Sequence, residues 1–394
     1  MKRYCKNIDI SDRSFIKASI EDCLREKYKR NDVIRLLSEY SHLPKDFIRG
    51  IAESGQYWMF DGIIDTITES IRIEILEQKY SWKPVWYTYK IEGNKRRRIG
   101  IQDIKQQIYD YIAVRGLQEL FDKRIGFYQC AALPGKGQIA GKKAIKRKLR
   151  SSKSRWGWKG DGEKYYENIN RRKLKRLLRK YVKNNPLLHL AFALIDSFEK
   201  GLSIGSYLSQ YLANFYMSFL YRYITENLFR VRRKKDGTVQ RVRMINFCLI
   251  YMDDMYISGP NLKLLKMAVR KIRKFAKDFL GITIKEDDEW IDFKSGEYLD
   301  MMGFVMSKEK VIVRPSIFRR YRRSIAKARK TGRIDREDAK RIISRDGWIK
   351  NADCAHFRKR SKADKIVNKC KELMKSDKNV IYLAARQGQG CPAA

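Results

Sequence analysis

The pattern of hydrophobic and polar residues divides the chain into helical ends and a mixed centre. Residues 1–82 contain segments such as SFIKASIEDCLREKYKRNDVIRLLSEY, in which apolar side chains recur at helical spacing between charged ones. Residues 85–101, VWYTYKIEGNKRRRIGI, are rich in aromatic and β-branched residues on both sides of Gly93-Asn94. The pattern therefore predicts an N-terminal helical extension over residues 1–82 and then a basic β-hairpin.

The centre of the chain mixes helical and strand patterns. Residues 170–184 and 187–198 predict two helices around a break at Asn185-Pro186, and residues 261–280 predict an amphipathic helix. Residues 146–160, KRKLRSSKSRWGWKG, are polar, basic and interrupted by glycines, which predicts a loop. Residues 231–259 alternate basic and apolar side chains and predict strands, with turns at Asp236-Gly237 and Asp253-Asp254.

Charge narrows the choice of partner. The 394 residues include 87 Lys or Arg and 45 Asp or Glu, a formal net charge of +42, and basic residues occur in every segment. Such an excess favours a polyanionic partner, and nucleic acid is the first candidate. An acidic membrane surface is the rival, but the sequence has no apolar run of about 18 residues. The opening MKRYCKNIDISDR has no apolar signal core, so we expect a cytoplasmic protein without a membrane segment.

Cysteine usage fits a reducing compartment. None of the cysteines forms a CxxC pair, so we expect free thiols rather than a disulfide framework. Cys354, His356 and Cys370 resemble part of a zinc site, but a fourth ligand at suitable spacing is missing. The seven cysteines are Cys5, Cys23, Cys130, Cys248, Cys354, Cys370 and Cys391.

The segment with the clearest chemistry is Tyr251-Met252-Asp253-Asp254. Its two consecutive carboxylates stand between the apolar runs NFCLI and MYIS. Adjacent acids at the tip of a hairpin repel each other, and burying either charge is costly unless a cation neutralises it. A solvated acidic turn is the plain alternative. The apolar flanks and the basic surroundings favour a site for Mg²⁺, which prefers hard oxygen ligands.

A set of motifs in a fixed order now points to a family. YMDD between apolar strands resembles the palm signature of reverse transcriptases, and six further segments of residues 85–330 resemble motifs of the same family in the same order. Two segments that precede YMDD, DGEKYYENI and GLSIGSYLSQYLAN, resemble the first and second palm motifs. The other four segments are KRRRIGI, GFYQCAALPGKG, LGITIK and MMGF.

The resemblance implies an α+β fold of the right-hand polymerase type. It implies fingers over residues 83–160 and a palm with an antiparallel sheet over residues 161–306, with finger elements interleaved. A basic helical thumb and a C-terminal tail would follow over residues 307–394, and we expect the tail itself, from about residue 385, to be unstructured. For the basic thumb helices, a solvated surface is the alternative to tracking a nucleic-acid backbone.

The resemblance also implies an RNA-directed DNA polymerase with two Mg²⁺ ions. Its partners would be a template RNA, the RNA–DNA duplex and deoxynucleoside triphosphates. Three carboxylates would hold the ions, and the MMGF segment would form the primer grip with Met302 and Gly303. The implied catalytic and metal residues are Asp161, Asp253 and Asp254, and the implied nucleotide-binding residues are Lys95, Arg97, Tyr166, Ile204 and Gly205.

Two departures from the family pattern qualify this assignment. The residues before Asp161, Trp158-Lys159-Gly160, are less apolar than the usual strand, and Asp196 is the nearby competitor for the first acid. Many relatives have glutamine where this chain has Ile204, and the IGxxxSQ pattern is similar to reverse transcriptases of diversity-generating retroelements. Those enzymes copy a template RNA with errors and work with a small basic accessory protein.

Other functions stay open at this point. A defence-associated or otherwise unclassified bacterial reverse transcriptase would share the pattern. A non-catalytic RNA-binding protein with a palm fold is a second alternative, which the presence of all three acids disfavours. An RNA-templated RNA polymerase is the third, and Tyr166 favours deoxynucleotides over it, because the family places an aromatic residue there against a 2′-hydroxyl group.

Overall fold

The protein is described by a computed structural model that covers residues 2–92, 95–376 and 378–383. The predicted turn at Gly93-Asn94, the thiol of Cys391 and the predicted tail at residues 385–394 lie outside these ranges. Within them, no helix is both long and apolar enough to span a bilayer. The other six cysteines are buried free thiols.

The N-terminal part is helical, as the spacing of its apolar residues predicts. The first helix begins after Asp12, whose carboxylate accepts a hydrogen bond from the backbone of Phe15 at 2.8 Å and so caps the helix. Ile16, Ile20 and Leu24 form its buried stripe. The helices are α1 (Arg13–Leu24), α2 (Asn31–Ser41), α3 (Lys45–Ser54) and α4 (Asp61–Glu77), with a 3₁₀ turn at Tyr57–Phe60.

A two-stranded hairpin and two helices follow. The hairpin pairs Trp86 with Ile101 at its open end and Glu92 with Lys95 at the other, as predicted for a strand–turn–strand segment. The Asp103 carboxylate caps the next helix by accepting from the backbone of Lys105 at 3.3 Å. These elements are β1 (Trp86–Glu92), β2 (Lys95–Ile101), α5 (Ile104–Gly116) and α6 (Gln118–Arg124).

The central region contains the sheet that carries the acidic residues. The helices predicted around Asn185-Pro186 are present, and the side chain of Asn184 caps the second of them. The helix predicted over residues 261–280 is present too and ends in a π turn at Ala276–Leu280. The elements to residue 222 are β3 (Gln129–Cys130), α7 (Gln138–Leu149), β4 (Trp156–Asp161), α8 (Tyr165–Asn168), α9 (Arg171–Tyr181), α10 (Asn185–Asp196) and α11 (Tyr207–Arg222). A 3₁₀ turn (Ser152–Ser154) and a π turn (Tyr223–Asn227) accompany β5 (Phe229–Arg233), β6 (Val239–Arg243), β7 (Phe247–Tyr251), β8 (Asp254–Gly259), α12 (Leu262–Phe275) and β9 (Glu289–Asp292).

Five of these strands form one sheet in the order β3-β7-β8-β4-β9. Only β3 and β7 are parallel, and every other neighbouring pair is antiparallel. Because side chains alternate along a strand, Cys248 and Ile250 of β7 face the core shared with α11 and α12, whereas Phe247 and Leu249 face a second core shared with the C-terminal helices. The sheet is therefore covered on both faces, which fixes its register.

The loop predicted over residues 146–160 is present only between residues 150 and 155, and the prediction is wrong at both ends. Helix α7 continues to Leu149, and strand β4 begins at Trp156. The glycines that suggested a loop make room for aromatic rings: a Cβ on Gly157 would lie 2.9 Å from the ring of Phe293, and one on Gly160 would lie 2.4 Å from the ring of Trp158. Residues 156–160, assigned from sequence to the fingers, therefore belong to the central sheet, and the boundary predicted at residue 160 falls inside a strand.

The C-terminal part is mainly helical and packs against the second face of the sheet. Its described residues, up to residue 383, form a small three-stranded sheet, four helices and a short two-stranded ladder. The elements are β10 (Leu299–Met301), β11 (Phe304–Met306), β12 (Val311–Val313), α13 (Pro315–Thr331), β13 (Arg333–Asp335), α14 (Arg336–Ile349), α15 (Ala355–Ser361), α16 (Ala363–Lys375) and β14 (Val380–Tyr382).

Candidate active site

Strands β7 and β8 form the hairpin that carries two of the acids. Tyr251 and Asp254 are its last paired residues, so the turn consists of Met252 and Asp253. The sequence prediction placed this turn one residue later, at Asp253-Asp254; in the structure Asp254 is already the first residue of β8. The two carboxylates therefore differ in setting, because one is on the turn and the other on a strand.

The side chain of Met252 anchors the turn to the rest of the protein. Met252 has left-handed backbone geometry, with φ of 58°. Its sulfur accepts hydrogen bonds from the hydroxyl of Tyr166 and from the amide nitrogen of Asn214, each at 3.5 Å. Two elements outside the hairpin, α8 and α11, thus hold the turn in place.

Strand β4 brings the third acid to the same place. Asp161 is the last residue of β4 and lies directly opposite Asp254 in the antiparallel pair. The next residue, Gly162, donates its backbone N–H to the carbonyl oxygen of Asp253 at 3.2 Å. Side chains directly opposite each other in an antiparallel pair point to the same face.

Asp196, the competing first acid, instead ends α10 and pairs with Lys175.

Burial and charge act together on Asp253. Removal from water raises the pKa of this carboxyl, and the neighbouring charge of Asp161 raises it further. Its own backbone N–H and the positive charges of Arg97 and Lys285 act in the opposite direction and lower it. The net effect is a raised pKa of Asp253. Ionisation of Asp253 beside the charged Asp161 is therefore unfavourable unless more positive charge is bound nearby.

The chemistry of these carboxylates suits a divalent cation. Asp161 and Asp253 supply hard oxygen atoms in a partly buried setting, and a bound Mg²⁺ would offset the repulsion that raises the pKa of Asp253. Across the ranges that the structure covers, no group of three or more His, Cys, Asp or Glu side chains is arranged to hold a metal ion. The side chain of Asp161 accepts a hydrogen bond from Lys285 instead.

Lys285 is a site residue that the sequence did not single out. Its ammonium group donates to Oδ2 of Asp161, and its backbone N–H donates to the carbonyl oxygen of Asp161 at 3.0 Å. A bridge between Gly162 and Ile284 places this segment alongside the end of β4. The lysine belongs to the motif LGITIK, but one lysine among 87 basic residues gave no signal for its role.

The two adjacent tyrosines of α8 have different surroundings. Tyr165 is 2% exposed, and its hydroxyl donates to the carbonyl oxygen of Ala213 at 2.6 Å, so it is a core residue. Tyr166 lines a small cavity, and burial together with the charge of Asp253 raises the pKa of its phenol. Of the pair, Tyr166 is the one that borders a cavity, and its hydroxyl donates to the sulfur of Met252 in the acidic turn.

Ile204 lies on the wall of the same cavity, in the loop that precedes α11. The wall also includes Leu202 and Ser203 of this loop and the side chain of Arg98 from β2. No amide is present at the position of Ile204, so this part of the wall is aliphatic. The structure thus brings Ile204 and Tyr166 to one cavity.

Gly205 has a packing role in this loop. A Cβ at this position would lie 2.4 Å from the carbonyl oxygen of Gly100 in β2. The hydroxyl of Ser203 accepts hydrogen bonds from the backbone N–H groups of Gly100 and Gly205, at 3.1 and 3.3 Å. The space that glycine leaves open is occupied by the backbone of β2, so the contact ties the loop to the β1–β2 hairpin.

The arginines of β2 point to two faces of the hairpin. Arg98 pairs with Glu199 at 2.5 Å and lies over the ring of Tyr87, with 3.7 Å between its guanidinium carbon and the ring centroid. Arg97, the next residue along the strand, points to the opposite face and is one of the charges that lower the pKa of Asp253. Lys95 begins β2, and its side chain lies outside what the structure describes.

The proposed primer-grip residues form the turn between β10 and β11. Met302 and Gly303 both have positive φ, at 54° and 78°, as in a two-residue type I′ hairpin. Met302 is 8% exposed and packs against Gly141 of α7, while the ring of Trp348 covers Gly303. The carbonyl oxygen of Gly303 accepts from the backbone of Arg314 at 2.9 Å. These contacts join the turn to α7 and to the C-terminal helices.

Comparison with known proteins identifies the family of the chain. A family model described as "Reverse transcriptase (RNA-dependent DNA polymerase)" matches residues 88–287, just over half of the chain. A solved structure of apo telomerase from Candida tropicalis, truncated from its C-terminal domain, aligns with 70% of this chain and 71% of its own, at 12% identity and a TM-score of 0.42. No curated protein matches the sequence.

Proposed function

Because the chain belongs to the reverse transcriptase (RNA-dependent DNA polymerase) family, we propose that it extends DNA on a template RNA at a centre formed by Asp161, Asp253 and Asp254. The α+β right-hand fold and the polymerase activity are those of the family. Template RNA, the growing DNA and nucleotides are accordingly its substrates. The residues of the centre, their metal ions and the biological role are the proposed parts.

One observation carries the proposal: Asp161 of β4 lies opposite Asp254 of β8, and the backbone of Gly162 bonds to Asp253. Two separate strands thus deliver carboxylates to one end of the sheet. Two Mg²⁺ ions, when bound by these residues, would neutralise charge on the transferring phosphoryl group and favour ionisation of the primer 3′-hydroxyl. Asp161 and Asp253 would be the main ligands, with Asp254 as a weaker partner.

The remaining residues bind and orient the nucleotide. Arg97 would pair with triphosphate oxygens through its guanidinium fork, and Lys95 would assist it. The positive charge of Arg97 already acts on Asp253, because it lowers the pKa of that carboxyl. Lys285 holds the Asp161 carboxylate through its ammonium group. Tyr166 would exclude a 2′-hydroxyl from the cavity it lines, and the loop with Ile204 and Gly205 would lie beside the new base pair.

Domain roles follow from the same assignment. Residues 83–155 with the β1–β2 hairpin would be the fingers, the sheet that includes β4 would be the palm, and residues 307–394 would be the thumb and tail. The helical extension over residues 1–82 would be an accessory cap. Met302 and Gly303 would act as the primer grip through their backbone, because the Met302 side chain is buried.

A finer assignment concerns fidelity. The IGxxxSQ pattern supports an enzyme of a diversity-generating retroelement. The aliphatic side chain of Ile204 on the cavity wall supports low fidelity, because it offers no amide that could form a hydrogen bond sensitive to base-pair geometry. Such an enzyme would be bacterial and cytoplasmic, and would work with a small basic accessory protein. A defence-associated or unclassified bacterial reverse transcriptase is the alternative, and a template repeat beside a variable repeat near the gene would decide between them.

The experiment that tests the polymerase proposal is primer extension on a defined RNA template. We expect extension with deoxynucleotides, little extension with ribonucleotides, and loss of extension when a chelator removes divalent ions. Binding of the RNA without any extension would instead favour a non-catalytic RNA-binding protein. Preferential ribonucleotide incorporation would indicate an RNA polymerase.

A further inference from the structure

Strands β5 and β6 form an exposed basic hairpin that the polymerase proposal does not use. Residues 229–243, FRVRRKKDGTVQRVR, contain seven Lys or Arg and a single acid, Asp236. Every residue from 230 to 241 is exposed, including Val231 at 60% and Val239 at 61%. The turn closes through hydrogen bonds between Lys234 and Thr238 and from Thr238 to Asp236. We call residues 229–243 the basic hairpin.

The positive charges of the basic hairpin are not balanced within the protein. None of its seven cations forms an ion pair with any residue in the ranges that the structure covers. Its one acid is occupied by hydrogen bonds from Thr238. A cluster of like charges on a two-stranded ribbon is destabilising by itself, so an external anion would relieve the repulsion.

The root of the basic hairpin is firmly anchored, although its arms are exposed. Leu228 and Met244, which flank the hairpin, are 2% and 1% exposed, and the backbone of Met244 donates to the carbonyl oxygen of Leu228 at 3.2 Å. The adjoining residue Asn246 donates to the carbonyl oxygen of Ser258 at 2.7 Å and so joins the root to the central sheet. The hairpin is therefore held at a set position on the palm.

The basic hairpin is attached at the end of β7 that does not carry the acidic turn. The chain runs from the basic hairpin into β7 at Phe247 and reaches the acidic turn only after Tyr251. The hairpin thus joins the end of β7 opposite to Asp253, and the strand between them, at about 3.3 Å per residue, spans roughly 13 Å. The basic hairpin and the acidic turn are therefore attached to opposite ends of the same strand.

Charge is distributed unevenly along the chain. Residues 1–82 contain 14 Lys or Arg and 14 Asp or Glu, so this part has no net charge. The whole excess of +42 therefore belongs to residues 83–394, which include the basic hairpin. Residues 1–82 can therefore serve as a control region for RNA binding, because the same number of positive charges can be removed there as from the basic hairpin.

We propose that the basic hairpin binds the phosphate backbone of a folded segment of RNA outside the polymerase cleft. Charge complementarity supports a polyanion, and the cations lie on both faces of the ribbon: Arg230 and Arg232 on one, Arg233 and Arg241 on the other. Such a ribbon contacts phosphates on two sides and reads no base sequence. The choice of RNA rests on the proposed function, because an RNA template is the polyanion that the same chain copies.

The test compares two full-length variants that each lose five positive charges. One carries substitutions in the basic hairpin, and the other carries them at exposed lysines of the neutral N-terminal part. The hairpin variant is Arg230→Gln, Arg232→Gln, Lys234→Gln, Lys235→Gln and Arg241→Gln. The control variant is Lys2→Gln, Lys6→Gln, Lys29→Gln, Lys45→Gln and Lys79→Gln.

Fluorescence anisotropy with a labelled stem-loop RNA at several salt concentrations gives the affinity and its salt dependence. We expect the hairpin variant to bind about tenfold more weakly near 0.15 M salt, with a salt slope smaller by about two to four. The control variant should change little. Extension of a short primer–template, which occupies only the cleft, should be the same in both variants and in the wild type.

Three results would overturn the inference: unchanged RNA binding by the hairpin variant, an equal loss in the control variant, or a loss confined to duplex DNA, anionic vesicles or an acidic peptide. The binding assay needs no polymerase activity. A failure of the polymerase proposal would appear as absent extension by the wild type, so the two failures can be told apart.

Discussion

Lys285 and Asp161 are joined twice, once through their side chains and once through the backbone, where the N–H of Lys285 donates to the carbonyl oxygen of Asp161 at 3.0 Å. The contact places a positive charge beside the two acids that would hold metal ions. Lys285 also lowers the pKa of Asp253, which burial and Asp161 raise. The lysine is thus an electrostatic part of the centre and not only a link between strands.

Replacing Lys285 with alanine should slow extension by roughly tenfold to a hundredfold, since a fixed positive charge beside transferring phosphates is lost. The pH profile provides a sharper test. Without Lys285 the pKa of Asp253 rises further, so the carboxylate protonates at a higher pH and the acid limb of the rate profile moves upward.

The control for this change is Lys285→Arg, which keeps the charge and should leave the acid limb in place. Raising the Mg²⁺ concentration should move the acid limb of the wild type downward, because the ion favours the ionised carboxylate. A uniform fall in rate at every pH, with no movement of the limb, would mean that Lys285 acts only structurally.

Replacing Tyr166 with alanine should admit ribonucleotides. Tyr166 lines a cavity and contacts Met252 of the acidic turn, and under the proposed function removal of its ring opens space for a 2′-hydroxyl group. We expect the preference for deoxynucleotides to fall by about ten- to a hundredfold, measured as the ratio of kcat/KM values for the two nucleotides.

Tyr165→Phe is the matched control for this prediction. It removes the hydrogen bond to Ala213 in the core and should lower the unfolding temperature while leaving nucleotide selection unchanged. If Tyr165→Phe alters selection and Tyr166→Ala does not, the roles of the two residues are reversed.

Replacing Ile204 with glutamine should lower the error frequency. An amide on the cavity wall gives a hydrogen-bonding group that can discriminate between correct and incorrect pairs, which the aliphatic side chain cannot do. Sequencing of products copied from one RNA template gives the error frequency of each enzyme. Equal frequencies would remove the argument for low fidelity from this position.

Replacing Gly205 with alanine should destabilise the protein by about 1–3 kcal/mol, because the new Cβ would clash with the carbonyl oxygen of Gly100. Gly50→Ala in α3 is the control, since a Cβ there meets nothing within 4 Å and alanine favours the helix. Thermal unfolding of the two variants should shift in opposite directions. A stable Gly205→Ala variant with poor extension would instead favour a direct role at the base pair.

The sequence predicted the elements whose patterns are local. The acidic pair between apolar runs predicted a hairpin, and alternation around Asp236-Gly237 predicted another, because strand alternation and turn residues act over a few positions. The fold class followed from the order of the motifs, and the family match confirms it. The positions of Asp161, Arg97 and Met302 in the site remain parts of the proposal.

The sequence failed where tertiary contacts decide the outcome. Gly157 and Gly160 suggested a loop, but they are strand residues that accommodate the rings of Phe293 and Trp158. At Gly205, assigned from the resemblance to the nucleotide site, the backbone of β2 occupies the space that a Cβ would need, a contact that no local pattern reports. Lys285 reaches Asp161 across 124 positions of sequence, and no local pattern reports such a contact.

The most direct test of the central claim is the rate of deoxynucleotide incorporation on an RNA template by Asp161→Asn, Asp253→Asn and the control Asp287→Asn. Asp287 is an exposed acid of the same region, so its variant has the same change in charge. We expect the first two variants to lose at least about a thousandfold in rate with RNA binding retained, and the control to keep the wild-type rate. Near-normal incorporation by Asp161→Asn or Asp253→Asn would contradict a shared metal centre on β4 and the β7–β8 turn.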